Sequence, residues 1–161
     1  MNTRTTALLI TLMLILGCGE VTAPEKHLIP DSYQGDVFIV SGVPNGEPPH
    51  RELFTIVFNI PANGILFTQD YPSPGWHSSK YYEVDSSGNR RRLELEPSSV
   101  HRTPANLADE RRFVWFPRSV TWGSISYTQY YVGSRADLLS RKPDKDELRF
   151  RAYLEGIGFR P

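Results

Sequence analysis

Residues 123–133 read GSISYTQYYVG and carry the strongest β-strand signal in the chain. β-Branched and aromatic side chains dominate this stretch, and both types favour the pleated, half-buried backbone of a sheet. Residues 36–41 (DVFIVS) predict a second strand, whose apolar run is typical of a central position with both faces covered. Together the two stretches indicate a domain built mainly from β-structure.

Further strands are predicted outward from these two stretches. Residues 51–60 are expected to form one strand with a wholly apolar face made by the alternate residues Phe54, Ile56, Phe58 and Ile60. The other predicted strands cover residues 65–69, 80–85, 91–96 and 112–116. Thirteen prolines and twelve glycines favour short strands joined by many turns over long helices.

The turn residues 86–89 (SSGN) predict a hairpin between the strands at 80–85 and 91–96. In its second strand, Leu93 and Leu95 are expected to face inward. The basic run at residues 90–92 (RRR) lies in this hairpin. We interpret the run as a solvated strand edge that prevents unwanted pairing, in preference to an anion-binding site.

The C-terminal region predicts helices. Residues 134–140 fit a short helix with Ser134 as its N-cap and Asp137 three positions further on. Residues 144–155 fit a second helix that Gly156 would end, although alternate apolar residues in the same stretch also fit a strand. We prefer the helix for this second stretch.

The N-terminal segment has the features of a secretion signal. Its apolar run at 7–16 has the length of a signal-peptide core and is shorter than the ~20 apolar residues that span a bilayer. The run ends in Ile15-Leu16-Gly17-Cys18, which resembles the lipobox of bacterial lipoproteins. The sequence has one cysteine, and we expect Cys18 to carry the lipid. The alternative is an ordinary secretion signal with a stray cysteine.

These features predict three parts of the chain. Residues 1–17 are the expected lipoprotein signal peptide, residues 18–26 the lipidated, palmitate-bearing Cys18 with a short spacer, and residues 27–161 a single β-rich domain. Acyl chains on Cys18 would hold the domain at a membrane of the cell envelope. Gly19 lacks the Asp that retains many lipoproteins in the inner membrane, so the outer membrane is expected if the cell has both.

The charge balance argues against nucleic acid as a partner. The chain has 18 Lys and Arg residues against 18 Asp and Glu residues, and removal of Arg4 with the signal leaves a slightly acidic protein. Domains that bind nucleic acid carry a basic footprint, which this composition lacks.

Several strand and turn motifs occur as a set, mostly in the first half of the predicted domain. They are Leu28-Ile29-Pro30, Tyr33 and Gly35 before residues 37–39, Asn45-Gly46, residues 60–68 (IPANGILFT), Tyr81-Tyr82 before Val84 and Gly88, and Val132-Gly133. The set resembles a family of small bacterial lipoproteins with an uncharacterised β-rich domain of unknown function. The resemblance implies a single β-sandwich, similar to prealbumin-like or immunoglobulin-like modules, to which the sequence adds one or two short C-terminal helices.

The sequence contains no recognised catalytic signature, such as G-x-S-x-G, H-E-x-x-H or a glycine-rich phosphate loop. The four histidines are far apart, so no metal site or other cofactor is expected. The loop at 70–79 is the strongest recognition candidate, because Tyr71 and Trp76 within it, followed by Tyr81 and Tyr82, could offer flat rings to a sugar or peptide. The alternative, which we prefer, is that Trp76 folds back as a lid on the core.

The expected function is that of a non-enzymatic binding or accessory module in the envelope, whose partner is a protein or a glycan. Two alternatives remain open. One is an envelope hydrolase that uses acidic residues and a histidine near the aromatic loop, namely Asp70, His77, Glu83 or Asp85. The other is a structural accessory of a membrane complex.

Overall fold

The computed structural model describes residues 23–71, 78–96, 110–141 and 143–159, which form nine strands followed by two helices. The strands are β1 (Glu25–Pro30), β2 (Gly35–Ser41), β3 (His50–Glu52), β4 (Thr55–Asn59), β5 (Ile65–Phe67), β6 (Ser79–Val84), β7 (Arg90–Leu95), β8 (Phe113–Trp122) and β9 (Ile125–Gly133). The helices are α1 (Arg135–Ser140) and α2 (Pro143–Gly156). Neither described helix is long and apolar enough to cross a membrane.

All nine strands belong to one hydrogen-bonded sheet in the order β3-β4-β1-β6-β7-β8-β9-β2-β5. Pairing is mixed, because β1 runs parallel to β4 and β6 whereas β9 runs antiparallel to β2 and β8. The link between β7 and β8 is narrow and involves only Glu94 and Leu95 of β7. We call the strands from β3 to β7 in this order half A, and the strands from β8 to β5 half B.

The main core lies between the two halves of the sheet. Ile29 of β1 and Tyr81 of β6 belong to the same buried cluster as Val37 of β2 and Tyr130 of β9. His27 Nδ1 lies 3.2 Å from the Tyr130 hydroxyl, which joins half A to half B by a buried hydrogen bond. The sheet therefore curls so that its halves face each other.

The two helices cover the opposite, outer face of half B. Side chains alternate along β2, so Val37 points into the main core while Phe38 points outward. Phe150 of α2 stacks on Phe38 with ring centroids 3.9 Å apart, and Leu154 lies in the same buried cluster. Leu138 of α1 packs near the other end of this face. Half B is thus covered by half A on one side and by helices on the other.

The structure confirms the mainly β prediction and both C-terminal helices. Ser134 and Asp137 form the predicted capping box, in which each side chain accepts a hydrogen bond from the backbone N–H of the other residue. The stretch that also fitted a strand is helical, and Phe150 and Leu154, four residues apart, share its buried face. The finer assignment to a prealbumin-like or immunoglobulin-like sandwich stays a prediction.

The prediction of one strand over residues 51–60 is wrong. These residues form most of the β3–β4 hairpin, whose two-residue turn is Leu53-Phe54. Phe54 is therefore 86% exposed and does not share an apolar face with the buried Ile56. Because the chain turns back at Leu53-Phe54, β3 pairs with the edge of β4 that β1 leaves open. This pairing covers the otherwise exposed edge of β4.

Three further details differ from the sequence predictions. Strand β1 was not predicted, and it begins at Glu25, before the expected domain start at His27. Its buried residues include charged and polar side chains, which hide the apolar alternation typical of a strand. Leu95 is half-exposed because β7 ends there, whereas Leu93 is buried as expected. Strand β8 continues to Trp122, well beyond the predicted end at residue 116.

Candidate functional site

A row of three polar side chains crosses the outer face of half B. Asp36 lies on β2, Gln129 on β9 and Arg118 on β8, and the strand register places them on neighbouring strands. Gln129 is only 4% exposed. Its Nε2 donates to Asp36 Oδ1 at 3.2 Å, and its Oε1 accepts from Arg118 Nη2 at 2.8 Å. Gln129 therefore satisfies its buried amide by connecting an acidic group to a basic one.

The helical region adds one basic and one acidic side chain to this row. Arg141, which follows α1, binds the Asp36 carboxylate through two guanidinium nitrogens, with Nε at 2.9 Å from Oδ2. Its guanidinium also lies over the Tyr131 ring, 5.0 Å from the centroid. Glu147 of α2 accepts a hydrogen bond from Arg118 Nη2 at 2.7 Å. The five polar residues thus tie the sheet to the helical region.

Electrostatics keeps Glu147 ionised. Burial by itself would raise the pKa of Glu147, but the hydrogen bond and positive charge of Arg118, with the charge of Arg151, outweigh it and lower the pKa below its usual value. Arg151 Nη2 lies 2.6 Å from Glu147 Oε1, four residues along the same helix. The carboxylate is therefore negative at neutral pH and cannot act as a proton donor there.

Two adjoining cavities lie beside the Asp36–Arg141 pair and share Asp36, Tyr131 and Arg141 in their walls. The first has a volume of about 280 Å³ and is mainly polar and aromatic, with Arg118, Gln129 and Glu147 in its wall. The second has a volume of about 610 Å³ and adds apolar side chains, including Phe38, Ile65, Phe150 and Tyr153. We call the two cavities together the polar cleft.

A β-bulge forms one rim of the polar cleft. The register of β8 against β9 shifts between Trp115 and Arg118, and Phe116 within the bulge has a φ of 51°. A non-glycine residue in this left-handed region is uncommon, and such residues and bulges concentrate near functional sites. The bulge leaves Trp115 buried but turns Phe116 outward, where it is exposed at the rim. The cleft therefore offers an accessible aromatic ring beside its charged groups.

The chemistry of the polar cleft suits binding. Its described wall supplies guanidinium, carboxylate, amide and aromatic groups, and the four charged side chains of the first cavity form the pairs Asp36–Arg141 and Arg118–Glu147. Among the described residues, no group of three His, Cys, Asp or Glu side chains is placed to hold a metal ion. A ligand with one positive and one negative group could form ion pairs with Glu147 and Arg118 in place of the pair that these two residues form with each other. Arg118 is 53% exposed, so a ligand can reach this pair.

The aromatic residues predicted from sequence do not form one surface within the described part of the chain. Tyr71 is exposed, and its ring lies so close over Gly42 that a Cβ there would be only 2.7 Å from a ring carbon. Tyr81 is buried in the main core against His27, whereas Tyr82, the next residue on β6, points to the opposite face of half A. Trp76 lies outside the described residues, as does Cys18. Tyr81 is 5% exposed, and the predicted roles of Tyr71, Trp76 and Tyr82 in recognition stay predictions.

Two acidic residues of the hydrolase alternative, Glu83 and Asp85, line one small cavity of about 240 Å³, but they are held by different partners. Glu83 is buried and forms ion pairs with Arg91 and Arg112. Asp85 accepts hydrogen bonds from residues in the turn of the β6–β7 hairpin. These bonds lower the pKa of Asp85, and those from Asn89 contribute most. Asp70 accepts from the backbone N–H of Tyr71 at 3.1 Å. His77 lies outside the described residues.

The basic run at residues 90–92 also has structural partners. Arg91 pairs with the buried Glu83, and Arg90 binds Glu52 through both terminal nitrogens at 2.7 and 3.1 Å. Strand β8 pairs only with the end of β7, so the Arg90 end of β7 has a hydrogen-bonded neighbour on one side only. This placement agrees with the interpretation of the run as a charged strand edge.

The sequence profile of a family of unknown function (DUF6843) matches residues 22–135. The chain belongs to this family. The part that matches DUF6843 contains Asp36, Arg118 and Gln129 and ends before Arg141 and Glu147, so the family match includes the sheet side of the polar cleft. No curated protein matches the sequence significantly.

The fold of this DUF6843 member is similar to a crystal structure of a candidate lipoprotein from Bacillus anthracis. The two sequences are 21% identical, and the comparison covers 83% of this chain and 95% of that chain with a TM-score of 0.55. At this level of identity the likeness shows a shared fold.

Sequence reasoning missed the polar cleft, although one signal was present. Gln129 is a polar residue in the middle of the strongest strand stretch, where its neighbours are aromatic or β-branched. A buried amide in such a position needs partners, which points to a polar network. Arg141 and Glu147 are contributed by a different part of the chain, and their approach to Gln129 depends on how the helices pack.

Proposed function

We propose that this chain is a bacterial envelope lipoprotein, anchored by acyl chains on Cys18, whose domain is a non-enzymatic binding module. The lipobox-like segment Ile15-Leu16-Gly17-Cys18 after a short apolar run is the observation that carries the anchor. The description of the Bacillus anthracis protein as a candidate lipoprotein supports it. Anchoring in the outer membrane, if the cell has two membranes, and a prealbumin-like or immunoglobulin-like sandwich type are finer parts of the same proposal.

Replacement of the cysteine tests the anchor. Cys18→Ser removes the thiol that accepts the lipid, so we expect an unprocessed precursor or a soluble protein in place of the anchored mature form. Membrane fractionation with a size measurement distinguishes these products, and wild type serves as the control. A variant that stays in the membrane at the mature size would contradict lipidation at Cys18.

The polar cleft is the proposed binding site, and its combination of charge and apolar surface favours a protein segment over a neutral glycan. Arg118 and Glu147 place opposite charges at the first cavity, and Phe150 and Tyr153 line the adjoining larger one. A peptide can present charged and apolar side chains in alternation, whereas sugar hydroxyl groups can hydrogen-bond to these charged groups but supply neither an opposite charge nor an apolar side chain for the larger cavity. An accessible cleft of paired charges with an apolar extension is the observation that carries this part of the proposal.

Photo-crosslinking in intact cells tests the site. A photoreactive phenylalanine analogue at Phe116 keeps the ring at the rim of the cleft, and the control places the same analogue at Arg92, which is exposed on the far face of half A. We expect a discrete protein adduct from position 116 that is absent from position 92. Arg118→Ala should reduce the adduct, because it removes a charged group of the rim. Equal adducts from both positions would contradict a site in the cleft.

A further inference from the structure

The turn between β3 and β4 has an unusual composition. Leu53 is 92% exposed and Phe54 is nearly as exposed, although both are large apolar residues. Leu53 also has a φ of 56°, in the left-handed region that favours glycine or asparagine in two-residue hairpin turns. The chain therefore accepts both backbone strain and apolar exposure at one point, which we call the apolar tip.

The β6–β7 turn shows what an ordinary solvent-exposed turn of this sheet looks like. There the left-handed position is occupied by Gly88, and Asp85 accepts hydrogen bonds from the backbone of Ser87 and Asn89. Polar side chains of this kind accept hydrogen bonds from the backbone N–H groups of the turn and stay in contact with water. The apolar tip contains no such polar residue, so its composition is not explained by the requirements of a turn in water.

The apolar tip lies beside the point at which the described chain begins. The backbone N–H of Ile56, two residues after Phe54, donates to the carbonyl of Pro24 at 2.9 Å. Pro24 is six residues after Cys18 in the sequence. Six residues reach at most about 20 Å even when fully extended. A lipid on Cys18 therefore keeps the apolar tip close to the membrane surface.

The charges around the apolar tip suit the same surface. Glu52, which precedes the tip, forms ion pairs with Arg90 and Lys26. Hydrogen bonds from these two residues, with that from Arg90 contributing most, lower the pKa of Glu52 to about 2. Arg51 is exposed, as is Lys80 at the start of β6. The acidic group is thus neutralised by its partners, while exposed basic groups remain near the tip to attract anionic headgroups.

We infer that the apolar tip inserts into the lipid interface next to the anchor and holds the domain in one orientation. This inference rests on the proposed lipidation of Cys18, because the anchor supplies the proximity. The surface that covers the apolar tip is the bilayer itself, because the tip is small, lies in a hairpin turn and is within reach of the lipidated Cys18. With the tip in the interface, the turn at residues 61–64, beyond the opposite end of β4, stays in water.

The test uses the mature, lipidated protein in pure lipid vesicles that contain anionic lipid. Acylation of Cys18 leaves no other thiol in the sequence, so a cysteine introduced by Phe54→Cys can be labelled alone with a polarity-sensitive fluorophore. Ala62→Cys in the turn at residues 61–64 is the matched control, because Ala62 is also exposed and lies beyond the end of β4 opposite the tip. Vesicle flotation measures anchoring separately, and thermal unfolding of each labelled protein checks the fold.

We expect both labelled proteins to float with the vesicles. Only the label at position 54 should shift its emission to shorter wavelength and be quenched from within the bilayer, and Leu53→Ser in the same protein should reduce both effects. Loss of one apolar side chain that is fully inserted in the bilayer typically lowers the measured membrane partition coefficient about 10- to 100-fold.

Four results would overturn the inference. A protein that floats while its label at position 54 stays in water has an anchor but no inserted tip. Labels that enter the lipid at both positions show that the domain has no fixed orientation. A label at position 54 that is shielded in native membranes but not in pure lipid indicates a protein partner. A protein that does not float lacks the anchor, and then the proposed lipidation fails together with the tip.

Discussion

Alternate residues of β9 pack in two different ways. Tyr130 and Val132 point into the core between the sheet halves and are buried there among apolar side chains. Gln129 and Tyr131 point to the other side, where α1 and α2 leave the two cavities of the polar cleft. A sheet face packed against another sheet face fills its space, whereas two short helices cover a broad sheet incompletely. One strand thus contributes to stability with one set of residues and to the candidate site with the other.

The largest effect should come from the core side of this comparison. Tyr130→Ala removes a buried ring that contacts His27 and Tyr81, so the free energy of unfolding should fall by about 3–5 kcal/mol. The neighbouring Gln129→Ala should cost less, about 1–3 kcal/mol, because it removes hydrogen bonds at the edge of a cavity. Denaturant unfolding of both variants measures the difference, and a larger loss from Gln129→Ala would contradict the division between the two faces.

The next effect concerns the ion pair that ties β2 to the helical region. Asp36→Ala leaves the largely buried Arg141 guanidinium without this carboxylate, so stability should fall by about 2–3 kcal/mol. A double-mutant cycle with Arg141→Ala isolates the pair, and we expect a coupling free energy of about 1–3 kcal/mol between these contacting residues. Additive losses would mean that the pair does not connect the sheet to the helical region.

Alkaline pH tests the core side again. Burial raises the pKa of Tyr81 to about 12 and that of Tyr130 well above its usual value. Because unfolded tyrosines ionise near pH ~10, the stability from these residues is fully present below that pH and is lost as the pH rises through their folded-state pKa values. Tyrosinate absorbance and circular dichroism recorded together should show these tyrosines ionising only as the protein unfolds. Tyr130→Phe, as the control, should remove one tyrosine from that late transition.

The smallest effect on stability should come from the rim of the polar cleft. Arg118 is more than half exposed and its ion pair with Glu147 contributes little, so the cost of Arg118→Ala is mainly the hydrogen bond to Gln129, about 1 kcal/mol of the free energy of unfolding. The same change should reduce crosslinking from position 116, which separates a binding role from a structural one. A loss of stability as large as that from Asp36→Ala would show that Arg118 mainly supports the fold.

Much of the fold could be predicted because its signals are local. The stretch 123–133 forms β9 almost in full, and Ser134 and Asp137 form the predicted cap. Other features depended on distant partners. Strand β1 is polar in sequence and becomes a strand because β4 and β6 pair with both its edges. The turn at Leu53-Phe54 interrupts a run whose alternation is typical of one continuous strand, so local pattern alone predicted the wrong element.

By itself, the sequence determined the mainly β character, most strand positions, both C-terminal helices and the lipobox-like segment, because each of these is encoded within about ten neighbouring residues. Only the tertiary structure decided that half A faces half B and that Asp36, Gln129 and Arg141 meet under the helices. It also decided that the apolar tip lies beside Pro24. The physical reason is that these arrangements depend on strand order and on the curl of the sheet, which bring together residues as far apart as 105 positions, as in the Asp36–Arg141 pair.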